Sequence, residues 1–278
     1  MPEYNRVTSV RSDRVSEVRG LQSRNGRRKA RRFLVEGPQA VSSAIAAGVL
    51  VHELFVAEDA GGSLSPIVSA AEAAGARITL ASGAVIAAMA ETQHPQGVLA
   101  VCSLLAPADL GAVMSSSGPV VVLEAMADPG NVGTVIRTAD AVGAGGVVLT
   151  EGSADVHSGK VVRATAGSLF HLPIASGHSM SEVIEAAHER GRPVAVLASE
   201  SSTDLFAALT SGEVSERTVW VIGNEAHGAS QGAKAGADLV IRIPMSGQAE
   251  SLNAAVAAAA VLYVTRYASA NAAAKDSQ

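Results

Sequence analysis

Residues 243–253 read IPMSGQAESLN and stand between a predicted strand and a predicted helix rich in alanine. A plain connection of this kind needs only a few turn residues. This one has about eight residues, nearly all of them small or polar. The stretch therefore predicts a loop whose role goes beyond joining two elements, and the rest of the sequence indicates what that role is.

Composition narrows the class of protein. The chain has 278 residues, 48% hydrophobic and 3% aromatic, which predicts one large or two ordinary domains with a core of aliphatic side chains. The single cysteine, Cys102, permits no internal disulfide and argues against a disulfide-stapled secreted fold. No apolar run reaches the length of a membrane span, and the N-terminus has no signal-peptide pattern. We therefore expect a cytoplasmic protein with no membrane partner.

Charge is distributed unevenly along the chain. Residues 1–32 contain ten Arg or Lys and three acidic residues, a net +7, whereas the other 246 residues contain 11 basic and 23 acidic ones, a net −12. The run RNGRRKARR at 24–32 favours a basic arm that binds the phosphates of a nucleic acid. The alternative is a solvated, partly helical surface. Neither interpretation of the basic run predicts which base sequence of a nucleic acid would be bound.

The sequence predicts an α/β protein with two folded parts. The later strands have continuous apolar runs and are separated by helices, which is typical of a parallel sheet covered on both faces. A stretch rich in Ser, Gly and Pro separates this part from a smaller α/β unit. The predicted segments are a basic arm (1–32), a small α/β domain (33–106), a linker (107–119), a parallel-sheet domain (120–270) and a disordered tail (271–278).

Three loops of the predicted sheet carry unusual polar residues. They are EAMADPGNVGTVIRTADAVGA (124–144), IGNEAHGAS (222–230) and the opening stretch. Ligands of parallel sheets bind where loops leave the carboxyl ends of strands. Each loop alone is a weak signal, because Gly, Asn and Asp are common turn residues. Together they place the following polar residues at one edge of the sheet: Asn131, Arg137, Asn224, Glu225, Ser251 and Asn253.

Familiar catalytic patterns are missing. GSADVHSGKV has the wrong spacing for a phosphate-binding loop, and GAGG at 143–146 is not a dinucleotide fingerprint. No Cys/His pair has the spacing of metal ligands, and no nucleophile elbow is present. The sequence therefore predicts no metal and no hydrolase triad.

In this order, the three loops resemble the three motifs of the SpoU-type RNA 2′-O-ribose methyltransferases of the SPOUT superfamily. The matching segments are DPGNVGTVIRTADAVGA, VIGNEAHGAS and IRIPMSGQAESLNAAVAAAA, while FLVEGPQAV and TQHPQGVLA resemble the small RNA-binding domain of the family. The resemblance implies a parallel sheet with a deep trefoil knot, a homodimer, and S-adenosylmethionine as cofactor. IPMSGQAESLN would then be a knotted cofactor-binding loop.

The resemblance also implies roles for residues of this chain. The expected catalytic residues are Asn131, Arg137, Glu225, Ser251 and Asn253. The expected cofactor-binding residues are Ala198, Gly223, Ile243, Met245 and Leu252. The expected RNA-binding residues are Arg14, Arg24, Arg27, Arg28, Lys29, Arg31, Arg32, Gln93 and His94. The segment AVLASESSTDLF lacks the usual threonine, which leaves the cofactor contacts of Ala198 and Ser199 open.

The family arginine corresponds to Arg137, whose guanidinium keeps its proton at physiological pH and is therefore a poor general base. We expect Arg137 to clamp a phosphate and to stabilise charge on the attacking 2′-oxygen, while a phosphate oxygen or water accepts the proton. Glu225 is the expected ion-pair partner that orients Arg137, and a helix cap is its alternative role. Asn131 and Asn253 would hold ribose or phosphate, and Ser251 the loop or the 2′-hydroxyl.

Other functions stay open at this stage. Ribosomal RNA, 23S in particular, is favoured as substrate over transfer RNA because the chain has a separate N-terminal domain. A non-catalytic RNA-binding protein of the same fold is one alternative, and cofactor binding would distinguish it. A base-modifying SPOUT enzyme is another, ranked lower because its third motif usually differs.

Overall fold

The computed structural model describes the backbone of residues 4–276 and their side chains except at 61 and 269–276. Its strands are β1 (Asn5–Val7), β2 (Arg32–Glu36), β3 (Val51–Ala57), β4 (Arg77–Ala81), β5 (Val98–Ser103), β6 (Val120–Leu123), β7 (Gly146–Thr150), β8 (Ile174–His178), β9 (Val194–Leu197), β10 (Val219–Ile222) and β11 (Leu239–Ile241). Its α-helices are α1 (Asp13–Gly20), α2 (Arg24–Ala30), α3 (Pro38–Ala46), α4 (Ser65–Ala73), α5 (Gly83–Met89), α6 (Leu110–Met114), α7 (Pro129–Ala141), α8 (Gly159–Thr165), α9 (Met180–Glu189), α10 (Leu205–Ser211), α11 (Gln231–Gly236) and α12 (Ala254–Asp276).

The chain packs as two compact units. The first combines Met1–Ala106 with Asp155–His171, and the second combines Pro107–Ala154 with Leu172–Gln278. We expected residues 120–270 to form one domain, but Asp155–His171 pack with the N-terminal unit. The reason is local: α8 lies against β2, and Asp155 forms an ion pair with Arg27. A segment that follows β7 in sequence is therefore part of the first unit.

The first unit is built on a mixed sheet with the strand order β1-β4-β3-β5-β2. Strand β5 is antiparallel to both of its neighbours, β2 and β3, and the other pairs are parallel. Apolar side chains of α1 and α5 cover one face of this sheet, where Val15, Val18 and Ile86 pack around Phe55. This arrangement gives the first unit a hydrophobic core of its own.

The predicted basic arm is folded over the part that the structure describes, since residues 1–3 lie outside it. It contains β1, α1 and α2, and Val15 and Val18 are buried. Ser12 caps α1 and Ser23 caps α2 through hydrogen bonds to backbone N–H groups. The basic segment is thus an integral part of the first unit rather than a separate arm.

Arg27 anchors α2 to the segment that begins at Asp155. Its side chain is 5% exposed, its Nη2 lies 2.6 Å from Asp155 Oδ2, and it donates further hydrogen bonds to the carbonyls of Leu21 and Gln22. His157 and Arg27 donate to the Asp155 carboxylate and hold its pKa below the usual value, although burial acts in the opposite direction. This stabilisation is present at neutral pH and is lost as the pH falls through the folded-state pKa of Asp155.

We expect Arg27→Ala to lower the free energy of unfolding by about 3 kcal/mol, because it leaves the partly buried Asp155 carboxylate without its cation. The matched control is Arg28→Ala, an exposed neighbour on the same helix, which should change the free energy by less than about 0.5 kcal/mol. Urea denaturation of both variants at neutral pH measures the difference. Equal effects of the two substitutions would contradict the anchoring role of Arg27.

The second unit is built on a parallel sheet with the strand order β11-β9-β10-β6-β7-β8. Alternate strand residues such as Val122, Val196 and Val221 form one buried cluster with side chains of α6, α9 and α11. Helix α12 packs against α7 and β10, and Val135, Ile136, Val261 and Leu262 of the two helices are buried. The prediction of an α/β fold with a parallel sheet is confirmed.

The predicted linker and tail differ from the structure. Within 107–119, helix α6 places Leu110, Val113 and Met114 in the core cluster of the second unit. The i, i+3, i+4 spacing of these apolar residues is helical, but the surrounding Ser, Gly and Pro dominate the sequence pattern. Of the predicted tail 271–278, the backbone continues as α12 to Asp276, and residues 277–278 lie outside the described residues.

Within residues 4–276, no helix has the length and apolar character needed to cross a membrane.

Candidate functional site

The loops that follow β9, β10 and β11 enclose a cavity of about 590 Å³ at the carboxyl edge of the second sheet, which we call the loop cavity. All five residues predicted to bind the cofactor line it, and so do Glu225, Ser251 and Asn253. The cofactor-binding set is Ala198, Gly223, Ile243, Met245 and Leu252. The sheet brings these positions together because the carboxyl ends of parallel strands meet at one edge.

Three of the predicted catalytic residues form a chain of hydrogen bonds. Asn131 Nδ2 donates to Glu225 Oε1 at 3.0 Å, and Asn253 Nδ2 donates to Asn131 Oδ1 at 3.1 Å. Asn253 Oδ1 in turn accepts from the backbone N–H groups of Ala255 and Val256 at the start of α12. The chain joins the loop after β10 to the beginnings of α7 and α12.

The chain of hydrogen bonds can run in only one direction, because one end is a carboxylate and the other end is a pair of backbone N–H groups. A carboxylate only accepts and a backbone N–H only donates, so both amides must point the same way. The Glu225 carboxylate also accepts from the N–H of Asp128, the residue that caps α7, at 3.3 Å. A negative charge is favoured at a helix N-terminus. Asn131 and Asn253 are therefore held in one orientation.

Arg137 lies elsewhere on α7. It is exposed and forms no ion pair with Glu225 within the described residues, so the expected pairing of these two side chains is not found inside one chain. The reason is helical geometry: Arg137 is six residues from Asn131 and thus about 120° around the helix axis. Of the described residues predicted for catalysis, Asn131 and Arg137 do not line the loop cavity.

The loop after β6 is held by residues that the sequence analysis did not assign. Ala125 has a positive φ of 48°, and its carbonyl accepts from Asn224 Nδ2 at 2.8 Å. Glu124 is buried and accepts from the N–H and the hydroxyl of Ser230, at 2.9 and 2.5 Å. Glu124 is the first residue of the first polar loop, and this position in the sequence could have pointed to it. These contacts fix the loops that carry Asn131 and Glu225.

Two features of the loop cavity bear on its ligand. Gly223 admits no side chain, because a Cβ there would lie 2.1 Å from the backbone nitrogen of Ala229. Within the described chain, the backbone N–H groups of the non-proline residues from 243 to 252 form no hydrogen bond to the protein. These donors are available to a ligand.

The charged residues of the cavity are mostly acidic. Its lining contains the carboxylates of Glu200, Glu225 and Glu250 and one lysine, Lys234, which pairs with Glu200. Burial raises the pKa of Cys102 to about 12, so this thiol, in the first unit, is not a reactive nucleophile. Among the described residues, no group of three or more His, Cys, Asp or Glu side chains has the arrangement of a metal site.

The predicted RNA-binding residues lie in the first unit. Arg24, Arg28 and Arg31 follow one face of α2 and its C-terminal end, are exposed, and form no ion pair within the described chain. We call these three residues the basic stripe. Two more residues of the predicted set lie beside the stripe: Lys29, which is exposed, and Arg32, which is half-buried. Gln93 and His94 are exposed in the loop before β5.

Two arginines of the predicted RNA-binding set have structural roles instead. Arg14 pairs with Glu17 and with the buried Glu53, and Arg27 is buried against Asp155. Their guanidinium groups are already paired with carboxylates of the protein, so they are not free to neutralise phosphates. Side-chain burial on α1 and α2, which the charge pattern does not reveal, accounts for the difference.

Comparison with known proteins agrees with this geometry. Residues 118–263 match the SpoU rRNA Methylase family, and residues 12–100 match the MRM3-like substrate binding domain. The chain belongs to the SpoU rRNA Methylase family. The resemblance drawn from the three loop motifs is thereby confirmed.

Individual relatives cover nearly the whole chain. The 23S rRNA (guanosine(2553)-2′-O)-methyltransferase RlmP of Bacillus subtilis (strain 168) is 34% identical over 94% of this chain and 98% of its own length. The 23S rRNA (uridine(2479)-2′-O)-methyltransferase of Streptomyces viridochromogenes is 33% identical, with 94% and 92% covered. The AdoMet-bound rRNA methyltransferase from Sinorhizobium meliloti is 30% identical with a TM-score of 0.84, covering 95% of this chain and 98% of that one.

Asn253 both caps α12 and donates a hydrogen bond to Asn131, and substitution can separate these two roles. We expect Asn253→Ala to lower the free energy of unfolding by about 1 kcal/mol, because α12 loses its N-cap. Asn253→Ser should restore most of that stability, since serine caps as well as asparagine does but does not reach Asn131. Thermal unfolding of the two variants tests this. A serine variant as unstable as the alanine one would show that the bond to Asn131, not the cap, carries the stability.

Proposed function

We propose that this protein is an S-adenosylmethionine-dependent RNA methyltransferase that modifies a ribose 2′-hydroxyl of 23S ribosomal RNA. The observation that carries the proposal is the hydrogen-bonded chain of Glu225, Asn131 and Asn253 at the edge of the loop cavity. These residues come from the three motifs that the family shares. The 23S rRNA 2′-O-methyltransferases among its relatives support the substrate class.

The residues of the loop cavity fit the cofactor. Its volume of about 590 Å³ is within the range of roughly 300–1,000 Å³ that is typical of small-molecule sites. S-adenosylmethionine carries two positive groups and one carboxylate, which complement the three glutamates and the single lysine of the lining. Free backbone donors between 243 and 252 suit the acceptor nitrogens of adenine. When bound, the cofactor supplies an electrophilic methyl group.

The residues of this chain would act mainly by positioning. The asparagine amides are held in one orientation by Glu225 and by the N-terminus of α12, so they can hold ribose or phosphate without rearranging. Ser251 lines the cavity near Asn253 and is the hydroxyl available to the loop or to the 2′-oxygen. Arg137 would clamp a phosphate and stabilise the developing alkoxide, while a phosphate oxygen or water takes the proton.

A homodimer accounts for two exposed features of the second unit. Val256, Tyr263 and Tyr267 form an apolar stripe along the outer face of α12, and Tyr267 is 71% exposed. Arg137 is exposed and does not line the loop cavity with the residues beside which it should act. If two copies pair through α12, Arg137 of one subunit can complete the site of the other. We further propose that the segment 243–253 forms the trefoil knot typical of SPOUT enzymes.

The proposed reaction is tested by methyl transfer from radiolabelled S-adenosylmethionine to protein-free ribosomal RNA and to bulk transfer RNA. Label in 23S rRNA that survives alkali as a dinucleotide is expected, because a 2′-O-methyl group blocks cleavage of the adjacent phosphodiester. Label confined to transfer RNA would show that the substrate is transfer RNA and not 23S rRNA. Label in mononucleotides would mean base methylation and would refute the ribose assignment.

We expect Arg137→Ala to lower kcat by about 100-fold or more, as removal of a transition-state donor does. Binding of S-adenosylhomocysteine, measured by calorimetry, should not change because Arg137 does not line the loop cavity. Mixing Arg137→Ala with Asn131→Ala subunits should restore activity if the arginine acts across the dimer. A mixture as inactive as its components would place Arg137 in its own subunit's site, and an unchanged kcat would remove it from the mechanism.

A further inference from the structure

The first unit contains a second cavity, which shares no residue with the loop cavity. It has a volume of about 370 Å³ and lies between the end of β2, α5, the loop before β5 and α8. Its inner wall is apolar and rigid, since Ile86, Val98 and Leu99 are each at most 2% exposed. We call it the β2 cavity. Its size is near the lower end of small-molecule sites, which suits one nucleoside rather than a longer ligand.

A buried carboxylate forms one side of the β2 cavity. Glu36 accepts hydrogen bonds from the N–H groups of Glu91 and Thr92 at 3.0 and 3.3 Å, and it pairs with Arg163 at 3.2 Å. Glu36 and Arg163, the charged lining residues apart from histidine, therefore neutralise each other. These contacts also fix the loop before β5. The cavity thus offers a preformed site without the excess positive charge that a phosphate would require.

Uncommitted polar side chains surround the opening. Gln39, His94 and Gln96 line the cavity, and within the described chain none of these side chains forms a hydrogen bond. Gln96 lies over Gly37, where a Cβ would come within 2.9 Å of Gln96 Oε1. Amide and imidazole groups both donate and accept, so they can pair with the edge of a heterocycle. An apolar wall with such an opening is suited to a neutral ring with polar edges.

We propose that the β2 cavity binds one unstacked nucleobase of the RNA substrate, at a nucleotide other than the one that is methylated. The inference rests on the proposed function, because it takes the substrate to be RNA. Sequence-specific RNA recognition mostly uses bases that are splayed out of loops and bulges, then stacked and hydrogen-bonded at their edges. The cavity supplies the apolar wall for the ring and Gln39, His94 and Gln96 for its edge.

The basic stripe on α2 complements this site. Strand β2 begins directly after Arg31 and ends at the cavity, and its five residues span about 17 Å. Phosphates of a short single strand can therefore contact the basic stripe while one base enters the β2 cavity. The stripe supplies affinity that depends on salt, whereas the cavity supplies selectivity that does not.

Binding curves at several salt concentrations separate these two contributions. The full-length protein is titrated with the RNA that accepts label in the transfer assay. We expect Ala90→Leu, which fills the cavity, and Gln96→Ala, which removes a polar edge, to weaken binding roughly five- to tenfold, as loss of one stacked base does. The slope of log K against log salt should stay unchanged for both variants, because the lost contact is uncharged.

Two matched variants serve as controls. Ser42→Ala alters an exposed residue of α3 that does not line the cavity, and it should bind as the wild type does. Arg28→Ala removes a charge of the basic stripe and should reduce the slope by about 0.7–0.9. Cavity variants that bind normally, or that lower the slope as Arg28→Ala does, would overturn the proposal. An RNA that takes up no label in the first place would count against the proposed function instead.

Crosslinking gives a test that does not depend on the stability of a variant. The same RNA is transcribed with 4-thiouridine or 6-thioguanosine, bound to the wild-type protein and irradiated. A crosslinked nucleotide is expected on the peptide that contains His94 and Gln96. Crosslinks of the first unit that fall only on α2 peptides would show that the RNA contacts the basic stripe without entering the cavity.

Discussion

The site of this protein depends on one constraint of the parallel sheet, which brings the carboxyl ends of all its strands to the same edge. Loops far apart in sequence meet there, and the Glu225 carboxylate then orders them. It accepts from Asn131, which accepts from Asn253, whose oxygen caps α12. Because the carboxylate only accepts and the helix N–H groups only donate, the chain has a single polarity. Glu225 thus connects three motifs without any pairing to Arg137.

A second constraint concerns how the two units share the chain. The segment Asp155–His171 follows β7 of the second unit, yet its side chains belong to the first. Arg27, on α2, pairs with the partly buried Asp155, and Arg163, on α8, pairs with the buried Glu36, and these two ion pairs hold the segment there. The same Arg163–Glu36 pair forms one side of the β2 cavity. A segment that sequence order assigns to the catalytic part therefore helps to build the proposed base-binding site.

Ionic groups in the first unit divide into two kinds that sequence cannot separate. By sequence, Arg14 and Arg27 cannot be told from Arg24 and Arg28 in the basic segment 1–32, but their side chains are paired with carboxylates. Buried pairs of this kind hold elements together, while exposed cations remain available for phosphates. Whether an arginine forms an internal ion pair or remains exposed depends on the face of α1 or α2 on which it lies. Packing of the helix against the sheet determines which face is buried.

The sequence by itself determined the α/β class, the three polar loops and the residues they carry, because these follow from local periodicity and from ordered motifs. Tertiary structure alone decided how those residues pair. Asn131 and Glu225 are 94 positions apart, and Asn131 and Asn253 are 122 apart. It also decided that α6 is packed rather than a linker, and that Asp155–His171 join the first unit. These features depend on which apolar surfaces are buried against each other, and a local sequence pattern does not encode long-range contacts.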